Sequence, residues 1–200
     1  MVKTIVRRHK RRTNKGRTTI KSHSRKIKGG VISPGELNIF SSMQKYPKEF
    51  GGNIDMGRNR KIEGFKVYKG GEDYVDVDPD YELLFHTHTG RKVEPPSTED
   101  LITILQSTSQ QAEIIFSGGG VTYIIIPTIR TKQLRRLPTK KLKERFDKIW
   151  MDALIKSKSY RELEKRYLNG LRKEGFMIKR NVKPNKPLHI PIEIVEDEKR

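Results

Sequence analysis

A chain of 200 residues and 23.3 kDa is long enough for one well-buried core with an appendage and too short for two full-sized domains. Its hydrophobic fraction of 33% against 34% charged residues means that part of it is tail or solvated surface, and the complete lack of cysteine excludes both a disulfide framework and a Cys-ligated zinc module. The net charge of +19 is uneven: residues 1–28 hold 12 Lys/Arg and no acid, leaving 31 Lys/Arg against 24 acids for the rest.

Residues 1–30 show no sustained apolar period and end at Gly29-Gly30, so they read as an extended or disordered basic arm outside the core. Ser33-Pro34-Gly35-Glu36 then supplies an N-cap and a first-turn proline, with Leu37, Phe40 and Met43 at near-helical spacing, which predicts a first helix between Val31 and Tyr46. From Glu49 to Leu84, glycine-punctuated segments such as Phe65–Tyr68 and Tyr74–Val77 alternate like strands. Tyr81–His88 is a further apolar strand ending in two histidines, and Ser97 opens the next helix with Leu101, Ile102, Ile104 and Leu105. Glu113–Ser117 and Val121–Ile126 flank Gly118–Gly120 as a hairpin; the triple glycine lacks the Lys-Ser/Thr of a phosphate loop and is assigned no chemistry. Beyond Thr139 the pattern turns helical, with Leu142, Phe146, Ile149, Trp150 and Ala153 on one face, a second helix from Ser159 to near Gly175, and a short strand at His189–Val195.

Chemistry concentrates in two short stretches. Histidines at i and i+2 on a strand project to the same side, so His86 and His88 can meet one ion. Asp100, three residues into the helix capped by Ser97, can supply a third ligand and leave a fourth position open to water, as catalytic but not structural metal sites require. Activating that water calls for a general base, and an upstream glutamate is the natural candidate. Taken alone, His-x-His is more often incidental than a ligand pair, and Ser-x-x-Asp is more often a plain capping motif. His9, His23 and His189 have no comparable partners and read as solvated or local structural residues.

With Glu49 upstream, then His86-Thr87-His88 and Ser97-Thr98-Glu99-Asp100, residues 31–130 resemble the JAMM (MPN, JAB-domain) zinc metalloproteases, whose motif runs Glu, His-x-His, then Ser and Asp separated by two residues. The resemblance implies an α/β (α+β) domain, a mixed sheet flanked by helices, in which His86, His88 and Asp100 bind Zn2+. It also implies that Glu49 is general base and acid and that Ser97 donates to the developing oxyanion. Glu36 and Glu63 compete with Glu49 for the first role. Thr89 stands where the family commonly has Pro, and the loop from His88 to Ser97 is one residue longer than usual.

The expected organisation is a basic arm at 1–30, a JAMM-like metallohydrolase domain at 31–130, and a helical extension with a short final strand at 131–200. The expected activity is that of a deubiquitinase-like isopeptidase or peptidase, acting on a protein substrate such as a ubiquitin-like modifier. Two other classes stand beside it: an inactive scaffold of the same fold, and a nucleic-acid-binding structural protein acting through its arm. The run Arg7-Arg8-His9-Lys10-Arg11-Arg12 suits sequence-independent contact with nucleic acid or another polyanion, and equally a nuclear-targeting signal, a transit peptide or a solvated tail. No stretch is long and apolar enough to span a bilayer, so the expectation is a soluble, intracellular protein without membrane contact, cytoplasmic or, in a nucleated host, nuclear.

Overall fold

Ser33 closes an extended segment and opens the first helix. Its hydroxyl accepts the Glu36 N–H at 3.3 Å while Glu36 Oε2 accepts the Ser33 N–H at 2.7 Å. This reciprocal capping box, with Pro34 at the first helical position, starts α1 (Pro34–Ser42). The same device at Ser97 and Asp100 starts α2 (Thr98–Gln106), and Ser159 caps α5 (Tyr160–Lys173) by accepting the Glu162 N–H.

The remaining elements of this computed structural model, which describes residues 22–56, 61–72, 74–77, 83–90, 92–107, 110, 112–181 and 187–199, are strands with two further helices. They are β1 (Ser22–Ile32), β2 (Phe50–Met56), β3 (Ile62–Lys69), β4 (Leu83–Thr87), β5 (Ala112–Ser117), β6 (Val121–Pro127), α3 (Ile129–Lys132), α4 (Thr139–Ile155), β7 (Phe176–Asn181) and β8 (Leu188–Lys199). Six of the strands make one mixed sheet in the order β3-β2-β4-β5-β6-β7, antiparallel at every pairing except β4 with β5. The parallel pair follows from the connection: α2 carries the chain back across the sheet, as a parallel crossover requires. The hairpin between β5 and β6 turns at Gly118–Gly120, where Gly119 and Gly120 take φ of 66° and 73° that a side chain would disfavour.

Strands with covered faces on both sides read as continuous apolar runs, and β4 and β5 are buried at every residue. On one face α1 packs Leu37 and Phe40 against Phe85, Phe116 and Ile114; the Phe40 ring centroid is 4.6 Å from that of Phe85 and 5.6 Å from that of Phe116. On the other face α2, α4 and α5 bury Leu101, Phe146 and Tyr167 against Ile115, Ile125 and Ile178. Glu164 on α5, also buried, accepts hydrogen bonds of 2.5 Å from both the Tyr123 hydroxyl and Arg180 Nε, tying β6 and β7 to the helix. The fold is thus α/β, a mixed sheet with helices on both faces.

Three elements differ from the sequence reading. Tyr74–Val77 alternates like a strand but does not join the sheet. It lies over β2 instead, where Val75 and Val77 occupy the space left by the absent side chain of Gly51. Phe176–Asn181, not anticipated as a strand, pairs with β6 as the sheet's edge. The final strand spans Leu188–Lys199 and pairs antiparallel with Ser22–Ile32, so the last part of the basic arm is extended but engaged in a two-stranded sheet. Residues 1–21, with the run Arg7–Arg12, lie outside the described residues. Among the described residues no helix is long and apolar enough to cross a membrane.

Gly52 shows how closely β2 and β3 approach. A Cβ there would sit 1.8 Å from the Lys66 carbonyl oxygen and 2.9 Å from the Phe85 ring, and a backbone atom cannot rotate away. Gly52→Ala is therefore expected to cost about 3 kcal/mol or more in urea unfolding, whereas Gly64→Ala, whose new methyl meets only Asp55 Oδ2 at 3.5 Å, leaves the midpoint nearly unchanged.

Candidate metal centre

The strand and helix ends that the caps define deliver three ligating side chains to one place. β4 lies between β2 and β5 and ends at Thr87; the His88 N–H continues the ladder by donating to the Phe116 carbonyl at 2.9 Å. Alternation then puts His86 and His88 on the face covered by α2, and both are more than nine-tenths buried. Asp100 reaches them from the first turn of α2, where its Oδ2 accepts the Ser97 N–H at 2.7 Å and its own N–H donates to Ser97 Oγ at 3.1 Å. One capping box therefore both starts the helix and fixes the carboxylate.

The donor atoms are spaced as ligands of one ion. His86 Nε2 and His88 Nε2 are 3.1 Å apart, His86 Nε2 is 3.4 Å from Asp100 Oδ1, and His88 Nε2 is 3.5 Å from Asp100 Oδ2. Tetrahedral ligands at zinc bond lengths stand about 3.3 Å from one another. His86 Nδ1 lies 2.8 Å from Glu113 Oε1, a carboxylate that only accepts, so Nδ1 carries a proton and Nε2, facing His88 and Asp100, is the nitrogen that can ligate an ion. Two imidazole nitrogens at this separation need a shared cation, which a proton or a metal ion can supply. A buried His86–His88–Asp100 group of this kind can hold a metal ion.

Electrostatics shows the same demand for positive charge. Burial by itself lowers the His86 pKa, but the Asp100, Glu113 and Glu49 carboxylates overcome it and raise the group to about 9. For Asp100 burial pulls upward and loses to the His86 and His88 rings and to the Ser97 N–H, leaving it at about 2. The site therefore carries more carboxylate than its histidines neutralise.

Glu49 and Ser97 border this group. Gly51 pairs with His86, so Glu49, two residues earlier on the antiparallel neighbour, lies beside the end of β4. Its backbone is pinned on both sides, with its N–H on the Gly71 carbonyl at 2.7 Å and its carbonyl accepting the Gly70 N–H at 2.8 Å. Of the three glutamates weighed from sequence, Glu49 is the one whose charge acts on His86; Glu36 is engaged in the Ser33 capping box, and Glu63 is exposed on the outer strand β3. The Ser97 hydroxyl accepts from the Asp100 N–H, which leaves its own proton to donate. The loop from His88 to Ser97 is anchored from α5, by the Tyr160 hydroxyl on the Val93 carbonyl and the Tyr167 hydroxyl on the Pro96 carbonyl, and by the Glu94 N–H on Ser117 Oγ.

Sequence reasoning missed Glu113 and Gln110. Glu113 is buried on β5 between His86 and Gln110, whose Nε2 donates to Glu113 Oε2 at 3.2 Å. The available signal was a lone acid opening the otherwise apolar run Glu113–Phe116. A carboxylate behind a ligating histidine fixes its tautomer and raises its basicity. Glu113→Gln keeps an acceptor but removes the charge, and it is expected to weaken metal affinity by about 10- to 100-fold in competition titrations with a chromophoric chelator.

Compared with protein-family models, with curated proteins and with solved structures, the chain matches none of them.

Proposed function

We propose that the chain is a zinc-dependent hydrolase of amide bonds, of the JAMM type that its motif resembles. The observation that supports this best is the convergence of His86, His88 and Asp100 with Glu49 and Ser97 at one sheet end, in the strand, loop and helix order of that motif. Imidazole and carboxylate donors at these separations suit zinc, and when bound the ion supplies Lewis acidity, polarising a carbonyl oxygen and lowering the pKa of water.

The chain's own residues would carry the rest. Glu49 accepts a proton from water as its oxygen attacks the carbonyl carbon, then returns that proton to the nitrogen as the C–N bond breaks. Ser97 donates from the rim of the site to the oxygen on which negative charge grows, an interaction stronger in the transition state than in the ground state. Glu113 holds the His86 ring so that Nε2 faces the ion. The substrate class, an isopeptide or peptide bond at the tail of a ubiquitin-like modifier, rests on the resemblance.

The test is hydrolysis by the zinc-loaded full chain of linear and isopeptide-linked ubiquitin-like fusions, read by gel shift and mass spectrometry. Cleavage that a chelator abolishes and zinc restores is the expected result. No cleavage of any fusion or of short peptide amides by protein shown to carry zinc would overturn the hydrolase reading in favour of an inactive scaffold.

A further inference from the structure

Among the described residues several cations on the folded part of the chain are paired and others, Lys156, Lys158, Lys165 and Lys173 among them, are not; what sets one group apart is its density in a short stretch of sequence. Lys143, Arg145, Lys148, Arg166 and Arg180 each face an acid, with closest pairings to Glu99, Glu174, Asp152, Glu162 and Glu164. Arg130, Arg135, Arg136, Lys140 and Lys141 face none among the described residues. The second group lies in a segment without acids: Glu113 and Glu144 are consecutive acids in the sequence, and Thr128–Lys143 between them holds seven Lys/Arg. Within this cluster Arg130, Arg136, Lys140 and Lys141 are exposed, and Arg135 has buried Nε and Nη2 atoms with no hydrogen-bond partner. A guanidinium taken partly out of water without an acceptor is costly, and desolvation lowers its pKa accordingly. The electrostatic imbalance calls for anionic charge from outside the chain.

The fold concentrates these residues. α3, the following turn Gln133–Arg136 and the first turn of α4 are consecutive, and Gln106 Nε2 holds the start of α4 by donating to Thr139 Oγ1 at 2.7 Å. β6 runs antiparallel to β5 and ends at Pro127, so this segment leaves the sheet at the end opposite His86 and His88. The uncapped N-terminus of the 17-residue α4 adds its dipole to the same field.

We infer that the surface formed by Arg130, Arg135, Arg136, Lys140 and Lys141 binds the phosphate backbone of a nucleic acid, independently of the metal centre and of the N-terminal arm. Guanidinium forks match phosphate geometry, and several unneutralised cations within one short run of consecutive elements suit a polymer of regularly spaced charges better than a single anion. An anionic membrane fits less well, since Ile129 is the lone strongly exposed apolar side chain in the segment. Recognition through phosphates is sequence-independent and would hold the site at the far sheet end near whatever is bound to that polymer.

The experiment measures affinity of the full chain for a fluorescently labelled DNA duplex of about 20 base pairs while salt is varied from about 50 to 200 mM. It compares the wild type with R130Q/R136Q/K140Q/K141Q and with K156Q/K158Q/K165Q/K173Q, a control that loses the same formal charge from exposed positions elsewhere. Arg135 is kept so that both variants retain the same packing, checked by circular dichroism and thermal melting. The first variant is expected to bind at least about tenfold more weakly at low salt and to lose about 3 from the magnitude of the log–log salt slope, with the control close to wild type. Equal slopes for the two variants would show that net charge or the arm alone binds DNA, and would overturn the inference. So would loss of binding to phosphatidylserine vesicles with duplex binding unchanged.

Discussion

Protein purified without added metal is expected to carry about one zinc ion per chain, and His86→Ala/His88→Ala to carry none. The double variant removes two of the three candidate ligands, and one remaining carboxylate cannot hold a transition-metal ion against water. It also leaves Glu113 buried without the imidazole it faces, so some loss of stability accompanies the loss of metal. Asp100→Asn separates the two effects: an amide oxygen can still accept the Ser97 N–H, so α2 stays capped while an anionic ligand is lost. Metal content by elemental analysis should fall in both variants, with the helix preserved in the second. Zinc retained at wild-type level in both would place the ion elsewhere and remove the basis for the hydrolase reading.

The same experiment has a pH signature. In the metal-free protein the His86 pKa is raised to about 9 from 6.5, so at neutral pH an incoming ion displaces a proton. Apparent affinity should therefore climb with pH, by about tenfold per unit from 6.5 to 9, and level off above. Folding of the metal-free protein moves the other way. A folded pKa above the unfolded one stabilises fully below pH 6.5, and that contribution is lost as pH rises through 9. Metal should then stabilise most in alkaline solution, which thermal melting with and without zinc can check.

What could be read from the chain was local. The N-caps at Ser33 and Ser97, the Gly118–Gly120 hairpin and the two-residue spacing of the histidines depend on neighbours within a few positions, and each formed where the pattern put it. Asp100 was legible for the same reason, because its place in the first helical turn fixes where its carboxylate points. What escaped was decided by distant partners. Tyr74–Val77 has the alternation of a strand, but its two valines pack over Gly51 of β2, a contact that no local pattern encodes. Phe176–Asn181 becomes the sheet edge only because α4 and α5 return the chain to β6. Glu113 meets His86 across 27 residues of sequence, through a parallel register that no short pattern encodes. The unpaired state of Arg130 and Arg136 is likewise a fact about which acids the fold leaves out of reach.

Glu49→Gln is expected to lower hydrolysis by about 100- to 10,000-fold while leaving zinc content unchanged. The substitution is isosteric, and the backbone bonds to Gly70 and Gly71 that fix the start of β2 do not involve the side chain, so the site keeps its shape. What disappears is the proton acceptor of the proposed reaction, together with one of the carboxylates that raise His86. The competitors supply the internal controls. Glu63→Gln changes an exposed residue of the edge strand and should alter neither rate nor metal. Glu36→Gln weakens the box at Ser33, costing about 1 kcal/mol of stability with the rate preserved. A rate lost at Glu49 alone, with zinc in place, assigns proton transfer to the side chain at the head of β2. A rate preserved there would move the base to another carboxylate of the same centre, with Glu94, whose Oε2 is 3.9 Å from His88 Nδ1, the next to replace.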